Sequence, residues 1–183
     1  MKIIDDVMPE VMQDQLHNIC ISKEFAWTYL NDVTWDDKAE KMDKISYPSF
    51  AHVAILNGIP GSITPSTSSL ISSMLLCMSD KAQLDPNLIH RVRFGMYLPI
   101  ANPPLHNNIH VDMFEPHTVC LYYVNDCDGD TFFFDNSRQI VDRVTPKKGR
   151  MVMFNGLTFH ASSMPVNSNY RISLNINYVK KST

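Results

Sequence analysis

The chain has 183 residues, of which 44% are hydrophobic and 19% charged, with a formal net charge of -3. This balance suits one globular domain over 1–183 with a real core, and it excludes the disordered and strongly basic classes. Lysines gather only at Lys147-Lys148 and Lys180-Lys181, which is no basic stripe for nucleic acid, and no apolar run is long enough to span a bilayer.

The N-terminus, Met1-Lys2-Ile3-Ile4-Asp5-Asp6, turns acidic without the apolar stretch of a signal peptide. Ile3-Ile4 reads as a short opening strand. Pro9 then suits the first turn of a helix, and Val11, Met12, Leu16 and Ile19 follow near helical spacing. Residues 24–35 are rich in aromatics and read as a second short helix or a loop on the core. The pattern over 36–61 is mostly irregular, with one strand expected over 52–56. Thr64-Pro65 is a helix start, threonine as cap and proline as first residue. Leu70, Ile71, Met74, Leu75 and Met78 give that helix an apolar face up to about Ala82.

After Asp85-Pro86 the period changes to two. Val92, Phe94, Met96 and Leu98 point one way, and Arg91, Arg93, Gly95 and Tyr97 the other. A proline loop over 99–108 follows. Strand-like runs then occupy 109–113, 118–125, 131–134, 139–144, 151–154, 158–164 and 170–179, separated by Gly, Asp, Asn and Pro. A helical front over 1–85 and a strand-rich core over about 88–180 thus predict a mainly β sandwich or jelly roll with helices on one sheet. In the last strand Tyr170, Ile172, Leu174, Ile176 and Tyr178 form an apolar row, and Arg171, Ser173, Asn175 and Asn177 a polar one. The polar row either meets solvent or lines an enclosed polar site under a helical cover.

The four cysteines, Cys20, Cys77, Cys120 and Cys127, lack metal-finger spacing. They read as reduced thiols filling apolar space in a cytoplasmic protein. His110 and Asp112 are different. On a strand they leave from one face, and with His160 they supply two imidazoles and a carboxylate, a set that holds iron(II) on one side and leaves the other open. Arg171 follows His160 by eleven residues, and a buried guanidinium there can grip a carboxylate in two-pronged fashion. Ser173, two residues on, can donate its hydroxyl to the same group. His17, His52, His90, His106 and His117 lack comparable spacing.

Several segments carry a family resemblance in a fixed order. They are His110-Val111-Asp112, Cys120-Leu121-Tyr122-Tyr123-Val124-Asn125, Asp128-Gly129-Asp130-Thr131, Pro146-Lys147-Lys148-Gly149-Arg150-Met151-Val152-Met153-Phe154, His160, and Arg171-Ile172-Ser173. The chain resembles the iron(II)- and 2-oxoglutarate-dependent dioxygenases, particularly the prolyl 4-hydroxylase-like branch, over about 92–179. The opening Ile3 to Pro9 also looks like the strand-to-helix start common there.

The resemblance implies a double-stranded β-helix, a cupin-like jelly roll with the metal in its mouth. It implies that His110, Asp112 and His160 ligate Fe(II), and that Arg171 pairs with the distal carboxylate of 2-oxoglutarate. Tyr123 matches a tyrosine that bonds the same carboxylate, Tyr97 matches one near the other end of the co-substrate, and Leu121 and Thr131 match pocket-wall positions. The implied reaction consumes O2, converts 2-oxoglutarate to succinate and CO2, and hydroxylates an unactivated C–H bond, with ascorbate as a candidate reductant. The implied primary substrate is a peptidyl proline, another protein side chain, a free amino acid or a small metabolite, with no nucleic acid or membrane partner. The usual paired glycine before Thr131 reads Asp128-Gly129-Asp130, a departure that bears on subfamily. The competing reading is a non-catalytic cupin-like metal module or a 2-oxoglutarate sensor. A simple metal module has no use for an inward Arg171.

Overall fold

A computed structural model describes residues 1–32, 47–61 and 65–179. The strands are β1 (Lys2–Ile4), β2 (Thr28–Leu30), β3 (Ser49–Leu56), β4 (Ile59–Pro60), β5 (Ile89–Tyr97), β6 (Thr118–Tyr123), β7 (Thr131–Phe134), β8 (Ile140–Val144), β9 (Met151–Asn155), β10 (His160–Ser162) and β11 (Arg171–Tyr178). The helices are α1 (Glu10–Cys20) and α2 (Pro65–Ala82), with a single 3-10 turn at Pro86–Leu88. The large sheet runs β1-β9-β6-β11-β5-β3-β2, with β4 on β3, and the small one runs β10-β7-β8. Every pairing is antiparallel.

Two cores sit on opposite faces of the large sheet. On one face, Ile172, Leu174, Ile176 and Tyr178 of β11 join Val92 and Phe94 of β5, Leu16 and Cys20 of α1, and Ile71, Met74 and Met78 of α2. A hydrogen bond of 2.8 Å between Ser79 Oγ and the Tyr178 hydroxyl pins α2 to the end of β11. On the other face, Val119, Leu121 and Tyr123 of β6 and Val152 and Phe154 of β9 pack against Phe133 of β7 and Val144 of β8. The result is three layers, helices on the large sheet and the small sheet on its other side, the double-stranded β-helix arrangement. Period-two alternation places each strand's two rows in different layers, so the polar row of β11 is enclosed between the sheets.

The front is richer in strands than the sequence implies. The expected opening strand, β1, adds to the edge of the large sheet beside β9, and the strand expected over 52–56 lengthens into β3 along β5; β2 and β4 are additional. Residues 24–35 do not form a short helix where they are described: Phe25 packs 4.8 Å from Trp27 and 5.2 Å from Phe94, and Thr28–Leu30 is strand β2. The aromatics spend their area on the core, and β2 finds a partner in β3. The expected Thr64 cap, and much of the irregular stretch over 36–61, lie outside the described residues. α1 begins after Pro9, whose carbonyl accepts from the amides of Met12 and Gln13 at 2.9 and 3.1 Å. The four cysteines are free thiols, and burial pushes Cys20 and Cys120 up to about 12. Among the described residues no helix is long and apolar enough to cross a membrane.

The expected strand over 109–113 is replaced by one isolated bridge. His110 and His160 exchange backbone hydrogen bonds of 3.0 Å in both directions, and the pairing stops there. Pro103, Pro104 and Pro116 flank the segment and cannot donate to a ladder. The segment also crosses between layers: His110 is tied to β10 of the small sheet, whereas the Asp112 side chain is bonded to β5 and β11 of the large one.

Candidate metal centre and its pocket

His110, Asp112 and His160 each present a ligand atom, and these atoms lie within 4.8 Å of one another. The two imidazoles stand 4.6 Å apart between ring centroids. Nδ1 of His110 is 3.0 Å from the Asn108 carbonyl, and Nδ1 of His160 is 3.0 Å from that of Thr158. A carbonyl only accepts, so Nδ1 carries the proton in both rings and Nε2 keeps the lone pair a metal needs. Burial, then the neighbouring His160, pushes His110 down to about 4. It is therefore neutral and able to ligate near neutral pH.

Asp112 is held by three side chains, those of Arg91, Asn175 and Asn177. Its Oδ2 accepts from Asn175 Nδ2 at 2.9 Å and from Asn177 Nδ2 at 3.0 Å. Its Oδ1 meets Nη2 of Arg91 at 3.1 Å, and Arg91 Nε donates to Asn177 Oδ1 at 2.7 Å. Asn177 is completely buried and uses both ends of its amide. Burial alone would raise the Asp112 carboxyl, but His160, Arg91 and His110 hold it well below the usual carboxylate range. Of the carboxylate's four lone-pair directions, two on Oδ2 and one on Oδ1 are taken, which leaves one on Oδ1 for a metal.

Arg171 is 1% exposed. Its Nε donates to the Gly129 carbonyl at 2.8 Å, Nη2 to Thr131 Oγ1 at 2.9 Å and Nη1 to Ser173 Oγ at 3.3 Å. The Tyr123 hydroxyl donates to the same Thr131 Oγ1 at 2.8 Å. The rings of Tyr97 and Tyr123 lie 5.3 and 5.6 Å from the guanidinium carbon. Among the described residues Arg171 has no carboxylate partner; every group that it touches is neutral.

The metal-type cluster and this arginine line one chamber, along with Arg93, Gly95, Leu121 and Ser162. All nine candidate residues from the sequence meet here: His110, Asp112, His160, Arg171, Ser173, Tyr97, Leu121 and Thr131 line the chamber, and Tyr123 stands behind Thr131. A larger hollow beside the start of α1, lined by Asp6, Gln13, Asp80 and Lys148, holds no comparable ligand cluster among the described residues. Four of the other five histidines make contacts elsewhere. His17 meets the Tyr170 hydroxyl at 2.9 Å, His106 meets Phe134 edge-on, His52 packs on Phe25, and His117 lies against Gly156, where a Cβ would come 2.0 Å from its Nε2.

Sequence reading assigned no role to Arg91, Asn175 and Asn177, which hold Asp112, nor to Gly129, which holds Arg171. The signal was there: both strands' alternation puts Arg91, Asn175 and Asn177 on the inward rows. The β5–β11 register, Asn177 opposite Arg91 and Asn175 opposite Arg93, was not readable from either strand alone.

No protein-family model matches the chain, and no curated protein is similar to it in sequence. Solved structures do resemble it. A prolyl-4-hydroxylase from Pseudomonas putida superposes with a TM-score of 0.63 at 15% identity, covering 98% of this chain and 92% of that one. An oxidoreductase of the 2OG-Fe(II) oxygenase family from Burkholderia pseudomallei gives 0.66 at 11% identity, covering 94% and 80%. HygX from Streptomyces hygroscopicus, with nickel and 2-oxoglutarate bound, gives 0.59 at 9% identity, covering 98% and 82%. The fold of this chain is the one these structures share.

Proposed function

We propose that the protein is an Fe(II)- and 2-oxoglutarate-dependent dioxygenase of the prolyl 4-hydroxylase-like branch, acting as a single domain. The observation that carries the reading is Arg171. A guanidinium so deeply buried is costly without a counter-charge, and the neighbours that orient it are all neutral. A dicarboxylate reaching from this arginine towards the three-ligand cluster supplies the missing charge, and 2-oxoglutarate fits that description.

In this reading His110, Asp112 and His160 hold the metal through two Nε2 atoms and one Oδ1. Iron(II) with 2-oxoglutarate and O2 supplies oxidation of an unactivated C–H bond, the co-substrate leaving as succinate and CO2. The chain itself does the positioning. The Asn108 and Thr158 carbonyls fix the imidazoles, Arg91, Asn175 and Asn177 fix the carboxylate, and Thr131 and Ser173 aim Arg171. Tyr97, Tyr123 and Leu121 wall the co-substrate end. Preset donors of this kind cost no reorganisation when the ligand arrives.

The test is anaerobic addition of Fe(II) and 2-oxoglutarate. A visible charge-transfer band is expected in the wild type and its loss in Asp112→Ala. In air, succinate release is expected; a band with no succinate under any substrate screened would leave a 2-oxoglutarate sensor, and no band at all would sink the oxygenase reading.

A further inference from the structure

Arg93 is the second arginine in the chamber, and its situation differs from that of Arg91 and Arg171. Its Nε and Nη2 are buried and have no hydrogen-bond partner among the described residues. Arg91, two residues earlier on the same row of β5, is neutralised by Asp112, while Arg171 is oriented by three neutral oxygens. Arg93 has neither arrangement, yet it lines the chamber beside His110 and Asp112, and its charge is one of those that depress His110. Arg93 is half-buried, but buried guanidinium nitrogens left without hydrogen bonds work against folding, and such violations cluster where a protein meets a ligand.

Directly opposite Arg93 in the β5–β11 register stands Asn175. Its Nδ2 faces the Asp112 carboxylate, which only accepts, so the orientation of the amide is fixed. Its Oδ1 is therefore turned away, and it too is buried without a partner. The two side chains face each other across the strands without bonding. They leave two cationic donors and one acceptor at the metal end of the chamber.

The distal carboxylate of 2-oxoglutarate does not account for Arg93. Arg171 is paired in register with Tyr97, and Arg93 lies four residues along β5 from Tyr97, about 13 Å of strand. We infer, resting on the oxygenase reading above, that Arg93 receives a carboxylate of the primary substrate, and that Asn175 Oδ1 accepts from an N–H or O–H beside it. The substrate class is then a carboxylic acid: a small acid such as a free amino acid, or an acidic side chain on a peptide.

The experiment uses the full chain loaded anaerobically with Fe(II) and 2-oxoglutarate, titrated by calorimetry. The probes are free L-amino acids and short monocarboxylic acids with their primary amides, capped tripeptides with central Glu or Gln, and phosphomonoesters. At least one acid is expected to bind ten-fold or more tighter than its amide. Arg93→Gln should erase that difference, Arg93→Lys should keep part of it, and both should bind 2-oxoglutarate within two-fold of wild type. The free-acid and Glu-peptide arms identify the source of the carboxylate. Metal-free Arg93→Met should melt above the wild type, because it removes an unpartnered buried cation; a purely structural arginine would give a lower melting temperature. Four results would overturn the inference: acids and amides binding alike or not at all, phosphomonoesters binding best, an Arg93→Gln loss that falls on 2-oxoglutarate, or a metal-free Arg93→Met that melts below the wild type. Failure of the wild type to form the iron band would overturn the oxygenase reading instead, and the acid-against-amide comparison would then be read from thermal shifts of the metal-free protein.

Discussion

Gly129 accepts a 2.8 Å hydrogen bond from Arg171 through its carbonyl, and its lack of a side chain is what lets the arginine lie against it. A Cβ at Gly129 would come 3.0 Å from Arg171 Cδ and 2.8 Å from the Ser163 carbonyl. The backbone oxygen cannot yield as a flexible side chain would, so the arginine or the whole loop must move. Gly129→Ala is expected to weaken 2-oxoglutarate binding at least ten-fold, to leave iron affinity within a few-fold, and to cost about 1–3 kcal/mol of stability, as overpacking does. Titration of the charge-transfer band and chemical denaturation check both parts; unchanged co-substrate affinity would mean that Arg171 is not held by this contact.

Asn177 joins Asp112 to Arg91, and its removal strips two charged groups of a partner at once. Asn177→Ala should lower iron(II) affinity by about 10–100-fold, the usual range for a residue that orients a metal ligand. Competition against a chromophoric chelator measures it. Iron affinity at the wild-type level would show that the network serves folding alone.

Gly95 leaves the floor of the chamber open. It pairs with Ser173 in the sheet, and a Cβ there would meet only Ser173 Oγ, at 3.9 Å. Gly95→Ala should therefore fold and bind as the wild type does. Gly95→Leu should project into the space that 2-oxoglutarate would occupy, abolishing the charge-transfer band while iron still binds. A full band in Gly95→Leu would place the co-substrate elsewhere.

Asp128 ties the loop before β11 to the turn before β7. Its Oδ2 accepts from the Asn167 amide at 2.7 Å and its Oδ1 from the amides of Val166 and Ser168 at 3.2 and 3.3 Å. Burial is the largest single influence and opposes ionisation, but those amides and the Ser168 side chain together bring the carboxyl down to about 2 from its ordinary 3.8. A depressed carboxylate contributes stability that is full above pH 3.8 and lost as the pH falls through about 2. Asp128→Asn should flatten the fall in stability between those limits, and Asp128→Ala should cost about 1–2 kcal/mol at neutral pH, in line with hydrogen bonds to a charged group. Urea melts across acid pH test this; parallel curves for wild type and Asp128→Asn would remove Asp128 from the acid response.

The sequence disclosed this site through alternation and spacing. The period-two pattern of 170–179 separated a row that packs under α1 and α2 from a row that lines the chamber, which is why Arg171 and Ser173 were legible. His110, Asp112 and His160 were legible because two imidazoles and a carboxylate in that order match a known chemistry. The conformation at 109–113 was not legible: His-x-Asp reads as strand, whereas the chain there spans two sheets, a fact of tertiary packing. Arg93 was readable as inward-facing but not as unpartnered, because pairing depends on which side chains the opposite strands bring near. Gly129 read as a departure from a motif, and only the position of Arg171 gives the glycine its reason.

The strand that carries Arg171 is the last described strand in the chain, and it lies in the interior of the large sheet, between β5 and β6. Until it arrives, β3 and β5 on one side and β6 and β9 on the other have no hydrogen bonds to each other. Joining the halves through β11 therefore requires pairings between residues far apart in sequence, a topology that slows folding. A nascent chain could assemble parts of either half during synthesis, but not the joined sheet. Arg171 thus takes its place in the same event that unites the halves, so a chain without β11 lacks the carboxylate site proposed for this arginine.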